Sequence, residues 1–180
     1  MFWILVAVGA IVALIALVVI IGLLLPKEHR ASRSKSFACS TEQVWNTLTD
    51  FSNNSGWRKQ LKQVEAMPSR NGHAMWKETD KSGQAISYET LELVPQKRIV
   101  RKIADEKLPF GGTWTIEVNA EPSGTMVTIV EDGIVYNPVF RFVSKFIMGH
   151  THSIDTYLGD LGRHLESASR ATTRSIAPAR

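Results

Sequence analysis

Six aromatic residues, Trp57, Trp76, Tyr88, Trp114, Phe142 and Phe146, are of the kind that walls an apolar small-molecule site, with Trp and Tyr adding a polar handle. The same rings could fill a core, because strand alternation says which residues share a side, not which side points inward. Arg101 shares a strand side with Ile99 and Ile103, and Glu131 with Val127 and Ile129. Turned inward, each charge needs a partner or a polar ligand atom, since an unpaired buried charge is strongly destabilising. Turned outward, each is solvated, with the Arg101 stem lying along the surface. The outward placement is the expected one for both. His150 and His152 suggest a metal pair until helical geometry is imposed: two positions apart is about 200° around the axis, so they share an ion only if the helix breaks at Gly149. No metal is expected. The candidate ligand-binding set is therefore the six aromatics with Arg101, Glu131 and His150.

No nucleophile elbow, phosphate-binding glycine loop or cluster of metal ligands occurs, and no cofactor is implied. Asp50, Asp80, Asp105, Asp132, Asp155 and Asp160 are dispersed, without a spacing that pairs carboxylates for acid/base work. Catalysis is unsupported by motif. It would have to use a solitary group such as Glu131, His150 or His164.

The pattern of the chain predicts the elements that must position these residues. Arg33 to Ala38 reads as a first strand. Ser40 then offers a helix cap with Gln43 three residues on, ahead of Val44, Trp45, Leu48 and Phe51 at helical spacing. Asn53 to Gly56 break that helix, and Trp57 to Gln60 form a second turn. From Leu61 onward, short alternating runs separated by turn residues indicate an antiparallel sheet. Strands are expected near Lys62–Ala66, Ala74–Thr79, Ala85–Leu93, Arg98–Ala104, Thr113–Val118 and Thr125–Val135. After Asn137-Pro138 the period returns to helical through Leu165, a helix of up to about 29 residues that Gly149 interrupts near its middle, where a bend or a close packing contact is expected.

The overall 44% of apolar residues hides two compositions. Residues 1–25 hold 23 apolar residues and no charge, and a helix over 2–25 is long enough to cross the roughly 30 Å hydrocarbon core of a bilayer. Its length and flanks do not suit a cleavable signal peptide. Lys27, Arg30, Arg33 and Lys35 follow it against a single Glu28, which places the carboxyl side in the cytoplasm by the positive-inside rule, as a single-pass protein of the plasma (inner) membrane. The net charge of +4 resides in the flanks: residues 27–35 and 167–180 each carry +3, leaving 36–166 at −2. Nucleic-acid binding is thus disfavoured, and the basic flanks suit anionic headgroups. The lone Cys39 excludes an internal disulfide and agrees with a reducing compartment. The expected organisation is a membrane helix at 2–25, a polar linker at 26–32, one folded domain at 33–166 and a disordered tail at 167–180, with the bilayer and a hydrophobic small molecule as partners.

This arrangement of strand, two helical segments, six antiparallel strands and a long terminal helix resembles the START-like superfamily of polyketide cyclases, dehydrases and lipid-transfer proteins. The residues that carry the likeness are Ser40 to Phe51, Trp57-Arg58, Leu108 to Thr115 and Gly124 to Ile129. The resemblance implies an α+β helix-grip fold, in which a curved antiparallel sheet wraps a long C-terminal helix with an apolar cavity between them. It implies ligands that range from lipids and quinones to polyketides. The expected function is membrane-tethered binding, transfer or presentation of such a molecule; the alternatives are a cyclase- or dehydrase-type enzyme and a ligand-free interaction module.

Overall fold

Apolar side chains on every side leave a helix no face to turn to water, and Phe2–Leu24 forms one uninterrupted helix, α1, long and apolar enough to cross a membrane. The computed structural model describes residues 1–176. Only Leu25, Pro26 and Lys27 separate α1 from the first strand, β1, which runs from Glu28 to Phe37. The polar stretch 26–32, expected as a linker, is therefore mostly strand. Basic residues of β1 form exposed ion pairs with the domain, Arg30 with Asp132 at 3.1 Å and Arg33 with Asp155 at 3.2 Å. Alternation without apolar residues hid this strand, because β1 buries only Ala31 and Phe37.

Helix α2 (Thr41–Thr49) is too short to be stable alone. Ser40 and Gln43 close a reciprocal capping box at its start, and Val44, Trp45 and Leu48 are buried. A 3₁₀ turn, Phe51–Gly56, follows. The chain then folds six consecutive antiparallel strands: β2 (Leu61–Arg70), β3 (His73–Asp80), β4 (Ala85–Val94), β5 (Arg98–Ile103), β6 (Phe110–Glu121) and β7 (Gly124–Val135). All six expected strands are present, with boundaries that extend where bulky residues are few. β1 pairs antiparallel with β7, so the sheet order is β1-β7-β6-β5-β4-β3-β2, and α2 with its 3₁₀ turn carries the chain from one edge to the other.

The terminal helix is interrupted at Gly149, where a bend or a close packing contact is expected, and the interruption is a full break. Pro138–Val143 forms a short α3, Ser144–Met148 winds as a π turn, and the chain breaks at Gly149, whose φ of +75° favours glycine. Helix α4 runs from His152 to Ile176. It buries Ile154, Tyr157, Leu158, Leu161 and Leu165 against Ile99, Ile116, Val118, Val127 and Ile129 of the sheet. Each such side chain contributes about 1.5–3 kcal/mol. Because α4 extends to Ile176, most of the segment expected as a disordered tail is helical backbone; residues 177–180 lie outside the described residues.

One turn is strictly dependent on glycine. At Gly124, between β6 and β7, φ is +149° and a Cβ would collide with the Phe37 carbonyl of β1. Gly124→Ala is expected to lose at least about 1–3 kcal/mol through backbone strain, measurable as a lower urea midpoint for the full chain in detergent micelles.

Candidate functional site

Alternation along the strands assembles the site. Across the face turned toward α4, cross-strand neighbours form the row Ala74, Thr90, Arg101, Trp114, Glu131 and Ala31, with Trp76, Tyr88 and Ile103 in the next row. Arg101 and Glu131 thus point inward, contrary to the expectation from sequence. Arg101 is buried, and its guanidinium donates to Glu78 Oε1 at 2.7 Å. Its plane lies between the Phe51 and Tyr88 rings, 4.8 and 4.7 Å from their centroids. Glu131 accepts hydrogen bonds from Trp114 Nε1 at 2.8 Å and Ser153 Oγ at 3.2 Å. Both charges found inward partners, which removes the cost that argued for an outward placement.

Glu78 is the centre of this site. It lies on the same side of β3 as Trp76 and is 4% exposed. Its second oxygen accepts from Arg58 at 2.7 Å, and the Arg58 guanidinium lies 5.1 Å from the Tyr157 ring centroid. Arg58 is held in place through its neighbour, since the Lys59 amide donates to the buried Asp160 of α4 at 2.9 Å. Burial alone would raise the Glu78 carboxyl, but the Arg101 and Arg58 guanidiniums outweigh it and hold the group below the usual carboxylate range. Burial opposes the charge on Arg58 too, and Glu78 overrides it, so the guanidinium pKa rises. Burial, then Glu78, pushes the Tyr88 phenol up to about 12 against the two arginines. Tyr157 is raised by burial as well. At neutral pH the Arg58, Glu78 and Arg101 triad carries a net charge of +1, and the two phenols beside it are intact.

Several buried donors here have no hydrogen-bond partner among the described residues: Arg101 Nε and Nη2, Trp76 Nε1 and the Thr90 hydroxyl. Their environment is aromatic. Trp76 contacts Phe51 at 5.4 Å between centroids, and Tyr157 meets both Trp57 and Trp114 edge-on at 5.2 and 5.6 Å. Trp57, Trp76, Tyr88, Trp114 and Arg101 are thereby brought into one neighbourhood. Arg58, Glu78, Phe51 and Tyr157 belong to it as well, outside the candidate set drawn from the sequence. The shared parity of Trp76 and Glu78 on β3 was the available signal for Glu78.

The remaining expected residues go elsewhere. Glu131 also lies 3.3 Å from His29 Nε2, and the His29 ring stacks on His150 at 4.0 Å between centroids. Gly133 makes room for that imidazole, as a Cβ there would strike it. Burial, then His29 and Lys145, lowers the His150 pKa against the pull of Glu131. Phe142 and Phe146 contact each other at 5.0 Å, but Phe146 is 59% exposed and lies outside the buried core beneath α4. The break at Gly149 turns their segment away from the sheet. A cavity of about 610 Å³ opens at the α1-proximal end of the sheet, lined by His29, Arg30, Lys102, Phe110, Asp132 and Tyr136 among others, with no residue of α4 and none of the nine expected site residues.

A family model described as polyketide cyclase / dehydrase and lipid transport matches residues 28–166, from the first residue of β1 into α4. The chain belongs to this family. Solved structures agree on the START-like helix-grip fold. The Zhui aromatase/cyclase from Streptomyces sp. R1128 has a TM-score of 0.64 at 12% identity, with 81% of this chain and 98% of that chain covered. A START superfamily protein from Mycobacterium smegmatis has a TM-score of 0.59 at 16% identity, covering 78% and 99%. The di-domain ARO/CYC BexL from the BE-7585A biosynthetic pathway has a TM-score of 0.65 at 13% identity, covering 82% and 53%. Comparison with curated proteins finds no significant match. Within the polyketide cyclase / dehydrase and lipid transport fold, α1 lies ahead of the matched region.

The triad has a direct test. Glu78→Gln leaves the buried Arg101 and the half-buried Arg58 guanidiniums without their anion and is expected to cost about 3–5 kcal/mol in urea unfolding. Because the folded-state pKa of Glu78 is depressed, its contribution is complete above the ordinary carboxylate value of about 4.3 and disappears as pH falls through the folded value. Wild-type stability should therefore decline more steeply than that of Glu78→Gln below about pH 4.

Proposed function

We propose that this protein binds, and transfers or presents, a hydrophobic small molecule bearing an oxygen acceptor at one end, of lipid, quinone or polyketide class. It does so on the inner face of the sheet, at a membrane spanned by α1. The observation that carries this reading is the set of unpaired donors on Arg101, Trp76 and Thr90 among aromatic rings. A desolvated donor without a partner is costly, and an acceptor oxygen delivered on an apolar body relieves that cost while the rings take the body. The net positive charge of the Arg58, Glu78 and Arg101 group favours a carbonyl or carboxylate over an amine. Membership of a cyclase, dehydrase and lipid-transport family supports a hydrophobic ligand.

The length and apolarity of α1 support a spanning role, and the basic residues following it support a cytoplasmic domain at the plasma (inner) membrane. The tether keeps the site close to a bilayer, where apolar ligands are concentrated.

A second reading, a cyclase- or dehydrase-type enzyme, is favoured by a separate observation: Glu131 backs His29, and His29 lines the 610 Å³ cavity. A carboxylate behind an imidazole orients it as a general base. His29→Gln would abolish such turnover while leaving ligand binding at the Arg101 site intact.

Native mass spectrometry of the full chain, delipidated and then titrated with lipids and quinones in detergent, tests the leading reading. A retained apolar compound is expected. Trp76→Phe and Thr90→Val each remove one donor, and each should weaken binding about 2- to 13-fold, the equivalent of about 0.5–1.5 kcal/mol; the near-isosteric Thr90→Val should do so without lowering Tm. Unchanged affinity in both variants, or a folded protein that retains nothing apolar, would refute it.

A further inference from the structure

The α3 segment and its π turn expose an apolar surface that the domain core does not use. Tyr136, Val139, Phe140, Phe146, Ile147 and Met148 are all exposed, Ile147 at 71%. Within the same segment only Arg141 is buried, and Pro138, Phe142, Val143 and Ser144 are half-buried. Asn137 Oδ1 accepts from the Val139 and Phe140 amides, and Ser144 Oγ lies 3.2 Å from His150 Nδ1. The exposed apolar set therefore sits on a capped, hydrogen-bonded turn rather than on a frayed end.

Two contacts tie this face to α1. Gly22 is the buried residue of α1, and it lies so close to Pro138 that a Cβ there would overlap the Pro138 carbonyl. The buried Arg141 donates to the Leu25 carbonyl at 3.0 Å and to the Tyr136 carbonyl at 3.2 Å, placing a cation at the carboxyl end of α1. That position suits the helix dipole and satisfies a terminal carbonyl. Gly22 is two residues from the end of α1, about 3 Å along its axis. If α1 spans, α3 is held at the edge of the hydrocarbon, where Lys27 and the exposed Lys145 can extend their ammonium groups to phosphates.

We propose that Pro138–Met148 is an interfacial membrane anchor. Phe140, Phe146, Ile147 and Met148 enter the acyl boundary of the leaflet from which α1 emerges, and they fix the tilt of the domain. The 610 Å³ cavity, which shares Tyr136 with this face, is then held at the headgroup level rather than swinging on residues 25–27. The proposal rests on the spanning reading of α1 but not on ligand binding.

The test uses the full chain in a Cys39→Ala background, with an environment-sensitive fluorophore on single cysteines at Leu14, Phe140, Ile147 or Ser82. Each variant is reconstituted into phosphatidylcholine/phosphatidylglycerol vesicles with nitroxide-labelled lipid. Probes at Phe140→Cys and Ile147→Cys should be quenched by the lipid nitroxide at least threefold more than Ser82→Cys, and shielded from aqueous iodide. If Leu14→Cys is quenched by lipid while Ile147→Cys behaves like Ser82→Cys, the anchor is refuted and the tether stands. Failure of lipid quenching at Leu14→Cys refutes both. Shielding of Ile147→Cys from iodide without lipid quenching, together with cross-linking between copies, would assign the face to self-association instead.

Discussion

The buried carboxylate of Glu78 connects three parts of the molecule that are otherwise separate. It comes from β3, Arg101 from β5 and Arg58 from the turn ahead of β2, and that turn is itself held by Asp160 of α4. Replacing such a largely buried ionic cluster by well-packed apolar side chains is often neutral or stabilising, so stability alone does not explain it. Here the geometry leaves one guanidinium edge of Arg101 unpaired while its plane is clamped between two rings. The arrangement is a rigid donor aimed from a charged centre that the protein keeps neutralised only in part. Glu78 orients Arg101 and tempers its charge; Phe51 and Tyr88 stop it from turning elsewhere.

The second constraint is the break at Gly149. A continuous helix from Pro138 to Leu165 would have carried Phe142 and Phe146 along the sheet beside Tyr157. The positive φ at Gly149 and the π turn before it uncouple two environments instead. α4 belongs to the sheet, whereas α3 belongs to α1, through Gly22 and Arg141. The family match covers both segments together with the sheet, so the contact with α1 is made by the folded domain itself rather than by an added module.

Much of the architecture was legible in the chain. Alternation and turn residues located β2 through β7, the Ser40 cap located α2, and composition isolated α1. β1 was read five residues short because it lies at the sheet edge with one apolar residue in its first half. The candidate site was legible in part. Trp57, Trp76, Tyr88, Trp114 and Arg101 converge, yet the sequence assigns no site role to Glu78 or Arg58, since a lone acid and a lone base 20 residues apart carry no local signal.

What the sequence determined by itself was everything governed by periodicity: element type, strand alternation, helix caps and the segregation of an apolar helix from a globular domain. Those properties depend on neighbours within a few residues, and a one-dimensional pattern records them. Tertiary structure alone decided the sign of the strand faces and the identity of charge partners. Whether Arg101 points to solvent or core depends on what stands across the sheet. The pairing of Glu78 with two arginines 20 and 23 residues away becomes visible only when the strands are laid side by side.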